Sequence, residues 1–526
     1  MGIYLNPGNG MFQKSLDSEI YVDKSGMIAR TNHVLNTLDR YLCVSRPRRF
    51  GKTMALDMLA AYYGRGCDSR GQFAGLAIAD DPGFGEHLNR YDVIRIVMND
   101  FLARSGNDVE ALISSLERRV RREVMAAYPD VCAYDDDILA DTLAQAYLAT
   151  GIPFVILVDE WDCVMRVMQG DERSQRRYLD WLRNLLKDRE YVALAYATGI
   201  LPVKKYGEHS ALNMFTEVSI LNAAPFSEFT GFTDGEVSGL CGRYGTDIEE
   251  MRRWYDGYDV DGIATYNPRS VVQALVRGVL DSYWTQTETY DALRRYIVLD
   301  MDGLRGKVVR LIGGEAVPVD VGTAQNDMTT FNNADDVLTL LVHLGYLTYD
   351  RSTRTVRVPN SEVAAEFVAS IKDDPGWAAV AGAIASSDAL MAATLSGHAD
   401  AVAAGIERAH QENASVLRYN DENSLACAVA LAYYAARRTH AIEREAPAGK
   451  GFADLLFRPR PGVDAPAFVV ELKAGGTPDE ALAQIRARGY AEALSAYREV
   501  FLVGIAYDPD SSAEEYKTHL CAIERL

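Results

Sequence analysis

At 526 residues, with 48% hydrophobic and 24% charged side chains, the chain has the composition of an ordinary globular protein, long enough for about two to four domains with their own cores. A formal net charge of −20 argues against passive, sequence-independent coating of DNA, which rests on Lys and Arg neutralising phosphates, but it leaves room for a local basic groove. No apolar run is expected to approach the ~20 residues that span a bilayer, Met1–Leu5 shows no basic-then-apolar leader, and the seven scattered cysteines form no CxxC pair, which favours a reducing cytoplasm over a disulfide framework or zinc site.

Residues 1–280 read as alternating strands and helices, hence a parallel sheet with crossover helices. Tyr41-Leu42-Cys43-Val44 is a candidate buried strand, and Met54 to Tyr63 a candidate helix. Between them lies Ser45-Arg46-Pro47-Arg48-Arg49-Phe50-Gly51-Lys52-Thr53, which ends like a phosphate-binding P-loop. Strand, loop and helix in that order aim backbone N–H groups and a helix N-terminus at an anion. Lys52 would reach the β- and γ-phosphates of ATP, and the Thr53 hydroxyl would bind Mg²⁺. The usual first glycine is replaced by Arg46, and the alternative for the tripeptide alone is a basic turn. Arg46, Arg48, Arg49, Phe50 and Gly51 belong to the same nucleotide-binding loop; Arg48 and Arg49 are candidates for an arginine finger, with loop packing or phosphate contact within one subunit the preferred reading.

Val93 to Met98 is a further strand candidate and Leu112 to Ala127 an amphipathic helix. Phe154-Val155-Ile156-Leu157-Val158 is a continuous apolar run ending in Asp159-Glu160, as expected of a central strand buried on both faces. Carboxylates at that strand end lie where open α/β sheets bind ligands. Asp159 would hold the Mg²⁺ shell and Glu160 would polarise the attacking water; a helix-capping pair is the plainer alternative. Tyr191 to Ala197 ends in Thr198-Gly199, so Thr198 could sense the γ-phosphate. A polar loop with Lys204 and Lys205 follows. Thr233-Asp234-Gly235-Glu236 has capping-box spacing, and Trp254-Tyr255-Asp256-Gly257-Tyr258 suggests packing in a small helical lid with a tight turn at Gly257.

Residues 281–405 are more helical. Asp335 to His343, Tyr346 to Tyr349 and Arg354 to Val358 form the helix–strand–strand outline of a winged-helix unit. Leu338, Leu341 and Leu344 favour a packing role over DNA contact.

Residues 406–526 change character. Asn423 to Ala436 is Ala-rich and helical, with Glu422 at its start, and Thr439 to Glu445 is strand-like. Phe452 to Phe457 alternates around Asp454, and Ala467-Phe468-Val469-Val470 runs into Glu471-Leu472-Lys473. Residues two apart on a strand share a face, so Glu471 and Lys473 point the same way, and Asp454 on the preceding hairpin strand can join them. Asp454, Glu471 and Glu422 are candidate Mg²⁺ ligands, and Lys473 positions or deprotonates the water that attacks a phosphodiester. Gln484 lies on a following helix with Arg486 and Arg488, suited to orient the site or meet phosphates. A surface salt bridge is the plain reading of Glu471-x-Lys473 alone.

With these motifs the chain resembles a bacterial and archaeal family of AAA-ATPase-like proteins with a C-terminal PD-(D/E)XK nuclease-superfamily domain. The resemblance covers nearly the whole length. It rests on Tyr21-Val22-Asp23-Lys24, the Arg46–Thr53 loop, Val158-Asp159-Glu160-Trp161-Asp162, Thr198-Gly199-Ile200-Leu201, Gly231-Phe232-Thr233, Trp254 to Tyr258 with Tyr266-Asn267-Pro268, Gly345-Tyr346-Leu347-Thr348, Val358 to Val363, Glu445, Asp454 and Glu471-Leu472-Lys473. It implies an α/β P-loop ATPase with parallel sheet and lid, a winged-helix-like connector and a restriction-endonuclease-like α/β domain. Ala453 stands where that superfamily often has proline. The expected function is an ATP-dependent switch coupled to a Mg²⁺-dependent nuclease acting on DNA or RNA, suited by analogy to cellular defence or mobile-element control. The rival is a nucleotide-binding regulatory protein with an inactive nuclease fold. No membrane partner is expected; oligomeric state and any protein activator stay open.

Overall fold

The computed structural model describes residues 2–129, 137–203, 212–284, 289–299, 301, 303–322, 324, 331–412, 422–448, 451–490, 494–507 and 519–526. Lys204 and Lys205 therefore lie outside the described residues. The chain divides into two compact units, 1–286 with 318–362, and 287–317 with 363–526. The span 281–405, read from the sequence as one connector, is shared between them.

The first unit is built on strands β1 (Tyr41–Ser45), β2 (Asp92–Val97), β3 (Phe154–Asp159), β4 (Val192–Gly199) and β5 (Thr216–Val218), in the order β2-β3-β4-β1-β5. Every pairing is parallel. β1, β3 and β4 are buried along their whole length, which is why they carry almost no polar residue before their ends. The register sets Val44 beside Thr198 and Val158 beside Ala197. Because β1, β3 and β4 run the same way, the P-loop, Asp159 and Thr198 emerge at one edge of the sheet.

A three-stranded antiparallel sheet, β6 (Phe232–Thr233), β7 (Tyr258–Val260) and β8 (Ile263–Tyr266), forms the lid with the helices Asp234–Tyr244, Ile248–Tyr255 and Pro268–Arg277. The capping box is present: Thr233 N donates to Glu236 Oε2 at 2.7 Å and Glu236 N to Thr233 Oγ1 at 3.5 Å. Lys24 pairs with the same Glu236 at 2.7 Å, which gives that resembling segment a bracing role. The turn at Gly257 has φ +100°, and a Cβ there would lie 2.0 Å from the Pro359 carbonyl oxygen. Only glycine tolerates both the dihedral and the approach.

Strand β9 (Val317–Pro318) precedes a helix–hairpin element of helix Ala334–Leu344 with β10 (Thr348–Asp350) and β11 (Thr355–Arg357). Leu338 and Leu341 are fully buried in it, as the packing reading expects.

The second unit carries a sheet of β12 (His440–Ala448), β13 (Gly451–Pro459), β14 (Ala467–Ala474), β15 (Val500–Tyr507) and β16 (His519–Arg525) in that order. Only β14 and β15 are parallel, and the helix Pro478–Arg488 crosses between them. Alternation divides the strands between two cores. Leu455, Phe457, Phe468 and Val470 face helices that include Glu422–Ala432, whereas Leu456, Val469 and Leu502 face Leu482 and Ile485 of the crossover helix. By length and hydropathy one stretch, Pro375–Leu395, is apolar enough to cross a membrane (21 residues, mean hydropathy 1.5). This corrects the expectation that no apolar run approaches that length; alanine-rich composition supplies the hydropathy, and here Ala383 and Leu390 pack into the core.

Candidate nucleotide and nuclease sites

Gly51, in the left-handed region at φ +82°, caps the helix Lys52–Tyr63 at its N-terminus. A Cβ there would meet no atom within 4 Å, so the dihedral rather than crowding selects glycine. Lys52 Nζ donates to the Arg46 and Pro47 carbonyls at 2.9 and 2.7 Å. The loop wraps the amine, and that desolvation pushes it down to about 8 against the pull of Asp162 and Asp159. Among the described residues the ammonium's hydrogen bonds go to its own loop, and a lysine at a helix start suits a polyphosphate.

Arg46 departs from the phosphate-facing reading. Its side chain is buried, and Nη1 donates to the Ser45 and Val218 carbonyls at 2.9 and 3.0 Å. Burial pushes the guanidinium down to about 10. The residue braces the loop against β5 instead of wrapping a ligand. Arg48 and Arg49 are exposed beside it.

The loop's apolar members are clamped. Phe50 is buried, stacks edge-on with Tyr258 at 5.3 Å, and its carbonyl accepts from Gly231 N at 3.1 Å. Tyr258 in turn donates to the Gly345 carbonyl at 2.8 Å, and a Cβ on Gly345 would come within 2.7 Å of Pro47. Phe50 is thus a packing residue that fixes the loop to the lid.

Asp159 is the hub of the strand ends. Thr53 Oγ1 donates to Oδ2 at 2.8 Å, Thr198 Oγ1 to Oδ1 at 2.6 Å, and Glu160 N to Oδ1 at 3.1 Å. The structure therefore brings Lys52, Thr53, Asp159 and Thr198 together as the sequence suggested. Thr53 and Asp159 supply hard oxygen donors that fit a Mg²⁺ shared with phosphate. Glu160 has φ +53°, strained for a non-glycine residue, and its side chain is 41% exposed.

Two neighbours had no assigned role in the sequence reading. Asp162 is fully buried and accepts from the Ile200 and Leu201 amides, both at 2.9 Å. Arg166 lies 3.1 Å from Asp162 and 3.5 Å from Glu160. The available signal was the i, i+4 spacing of Asp162 and Arg166 after an acidic strand end.

In the second unit the β13–β14 ladder pairs Leu455–Phe457 with Val470–Phe468. Beyond it Asp454 Oδ2 accepts from Leu472 N at 2.7 Å, so a carboxylate replaces a strand partner and meets Glu471. Glu471 is buried; Lys473 Nζ lies 3.8 Å from its Oε1, and Gln484 donates to the same oxygen. Among the described residues Glu471 Oε2 is buried with no hydrogen-bond partner. Desolvation, then the nearby Asp454, pushes this carboxyl up to about 7, while Lys473 pulls the other way. An orphaned buried carboxylate oxygen beside a second carboxylate fits a divalent cation that keeps several waters.

Of the two arginines on the crossover helix, Arg486 turns away to Glu524, whereas Arg488 lies one helical turn from Gln484 and 3.0 Å from the Tyr490 hydroxyl. Glu445 is exposed at φ +46°, in a register skip opposite Asp454. The helix at Glu422 is present, but the Glu422 side chain lies outside the described residues. No cluster of three or more His, Cys, Asp or Glu placed to hold a metal occurs among the described residues.

Comparison with known proteins follows this division. Residues 12–207 match the AAA-ATPase-like family, described as predicted AAA-ATPase, and residues 420–516 match the PD-(D/E)XK nuclease superfamily. An uncharacterized protein in the vnfD 5' region of Azotobacter chroococcum mcd 1 is 28% identical over 281 residues, 52% of this chain and 51% of the relative. The chain thus spans about half the length of the curated relative it matches. Solved structures with partial overlap include the ORC2 protein of Aeropyrum pernix in ADPNP–ADP complexes (TM-score 0.32, 11% identity, 67% of this chain and 95% of that one). Another is the replication initiator DnaA bound to AMPPCP and single-stranded DNA (TM-score 0.26, 11% identity, 57% of this chain and 72% of that one). Those scores are too low to carry functional meaning. On the family matches and the two sheets, the chain is an α/β protein with an AAA-ATPase-like domain followed by a C-terminal PD-(D/E)XK nuclease-superfamily domain.

Proposed function

We propose that the chain binds and hydrolyses ATP in its first unit and cleaves DNA or RNA in its second, with the nucleotide state governing the nuclease. The observation that carries the ATPase reading is Asp159 holding Thr53 and Thr198 at one sheet edge beside Lys52. Lys52 would exchange the Arg46 and Pro47 carbonyls for phosphate oxygens. Thr53 and Asp159 would hold Mg²⁺, which when bound neutralises charge on phosphate oxygens. Glu160 would accept a proton from the attacking water as the new O–P bond forms and the bond to the ADP oxygen breaks. Thr198, tied to Asp159, would report the terminal phosphate.

In the nuclease-like unit Asp454 and Glu471 would hold a divalent cation, Gln484 would orient Glu471, and Lys473 would hold the attacking water or take its proton. The Glu471 oxygen, buried and without a hydrogen-bond partner among the described residues, supports cation binding there. A fused ATPase and effector fits a guarded cytoplasmic activity such as defence or mobile-element control.

The test is to incubate purified full-length protein with Mg²⁺ or Mn²⁺, mixed DNA and RNA, and ATP or none. Cleavage should be lost in Lys473→Ala and ATP turnover in Glu160→Gln. Equal ATP turnover in wild type and Glu160→Gln would remove Glu160 from the mechanism. No cleavage under any condition would leave a nucleotide-binding regulatory protein with an inactive nuclease fold.

A further inference from the structure

Beside Glu160 lies a knot of buried polar atoms that the hydrogen-bond network satisfies only in part. Asp162 Oδ1 is buried without a hydrogen-bond partner among the described residues, and Arg166 Nε and Nη2 and the Trp161 indole Nε1 are buried beside it, the guanidinium held by charge and the indole close to the Cys43 thiol. Four buried polar atoms so weakly bonded within six residues are unusual, because buried polar groups in folded proteins are nearly always well bonded. They are not scattered defects. Asp162 is anchored by the Ile200 and Leu201 amides just past Thr198. Trp161 N donates to the Thr198 carbonyl at 3.0 Å, and the Trp161 carbonyl accepts from Tyr178 at 2.7 Å. The backbone here is thus fixed to β4 while the polar side chains keep unused capacity.

Arg166 spans this knot. Its contacts with Asp162 at 3.1 Å and Glu160 at 3.5 Å are charge contacts that favour the ionised guanidinium against its burial. The side chain is only 13% exposed. It also lies within electrostatic reach of Lys52, whose charged form it disfavours. The guanidinium therefore lies near both the loop lysine and the carboxylate expected to handle water.

We infer that Arg166 is a positioning residue for Glu160: anchored on Asp162, it sets the direction of the Glu160 carboxylate and ties it to the strand end that carries Thr198. This rests on the ATPase reading above. Arginine suits the role because its planar fork can address two carboxylates at once. The Glu160 carboxylate lies within that reach, at a residue of strained φ.

The test uses full-length protein and Arg166→Ala, Arg166→Lys, Glu160→Gln and the Arg166→Ala/Glu160→Gln double variant. Arg166→Ala should lower kcat for ATP roughly 10- to 100-fold with KM and the affinity for a non-hydrolysable ATP analogue nearly unchanged. Arg166→Lys should restore part of kcat, and the double variant should be no slower than Glu160→Gln. In nucleotide-free protein the melting-temperature shifts of the two single variants should not add, differing from the double variant by roughly 1–3 °C. Wild-type kcat in Arg166→Ala while Glu160→Gln is inactive overturns the inference alone, as do additive melting shifts. No ATP turnover by wild type overturns the ATPase reading itself, and this inference with it.

Discussion

The two candidate sites hold their central carboxylates in opposite ways. Asp159 has a donor on each oxygen, from Thr53 on one side and from Thr198 and the Glu160 amide on the other. Glu471 has Gln484 and Lys473 crowded on Oε1 and, among the described residues, no hydrogen-bond partner on Oε2. The first is satisfied by the chain's own donors; the second leaves a buried oxygen that a cation could satisfy. A buried carboxylate that lacks a donor costs stability until something charged arrives. The nuclease-like site should therefore respond to metal through stability as well as chemistry, and the nucleotide site much less so.

The largest effect is expected at Glu471. Glu471→Gln removes a desolvated charge, so metal-free protein at pH 8 should gain about 1–3 kcal/mol in the transition of the second unit. The same substitution should abolish stabilisation by Mg²⁺ or Mn²⁺, measured by denaturant unfolding with and without metal. A loss of metal-free stability would break the contrast. Asp159→Ala should act in the opposite sense, costing about 1–2 kcal/mol because the Thr53 and Thr198 hydroxyls lose their acceptor.

Titration gives a third handle. The Glu471 carboxyl is raised to about 7 in the folded chain from an ordinary value of 4.5. Its protonated form is the favoured one in the fold. That contribution to stability is present below the ordinary value and is lost as pH rises through about 7. Melting curves of metal-free protein should thus fall between these limits, and the stabilisation by Mg²⁺ should be larger at pH 8 than at pH 6. An equal Mg²⁺ shift at both would separate Glu471 from metal binding. The smallest effect concerns the crossover helix. Arg486→Ala removes an exposed ion pair with Glu524 and should change stability by no more than ~0.5 kcal/mol, with nucleic-acid cleavage unaltered. Arg488→Ala, on the Gln484 face, should weaken binding of a DNA or RNA substrate in a salt-dependent way.

Much of this was legible in the sequence. The apolar runs before Lys52, Asp159 and Thr198 became adjacent parallel strands, and strands that end alike put their last residues together. The hairpin alternation placed Asp454, Glu471 and Lys473 on one face. Arg46 was not legible: a basic residue in a phosphate loop suggests a phosphate contact, and only the position of β5 shows that it turns inward to Val218. Arg486 and Arg488 are chemically equal in sequence, and one helical turn's geometry sends them to different partners.

What the sequence determined by itself was local: which runs make strands, which strand ends carry acids or hydroxyls, and which residues share a face. These follow from periodicities of two and 3.6 residues that each segment carries within itself. The tertiary structure alone decided which groups lose water and which find partners. The buried oxygen of Glu471, the cluster around Arg166 and the Pro47–Gly345 approach all join residues distant in sequence or depend on enclosure by such residues. Desolvation and hydrogen-bond satisfaction are properties of the packed neighbourhood, and no segment holds that neighbourhood alone.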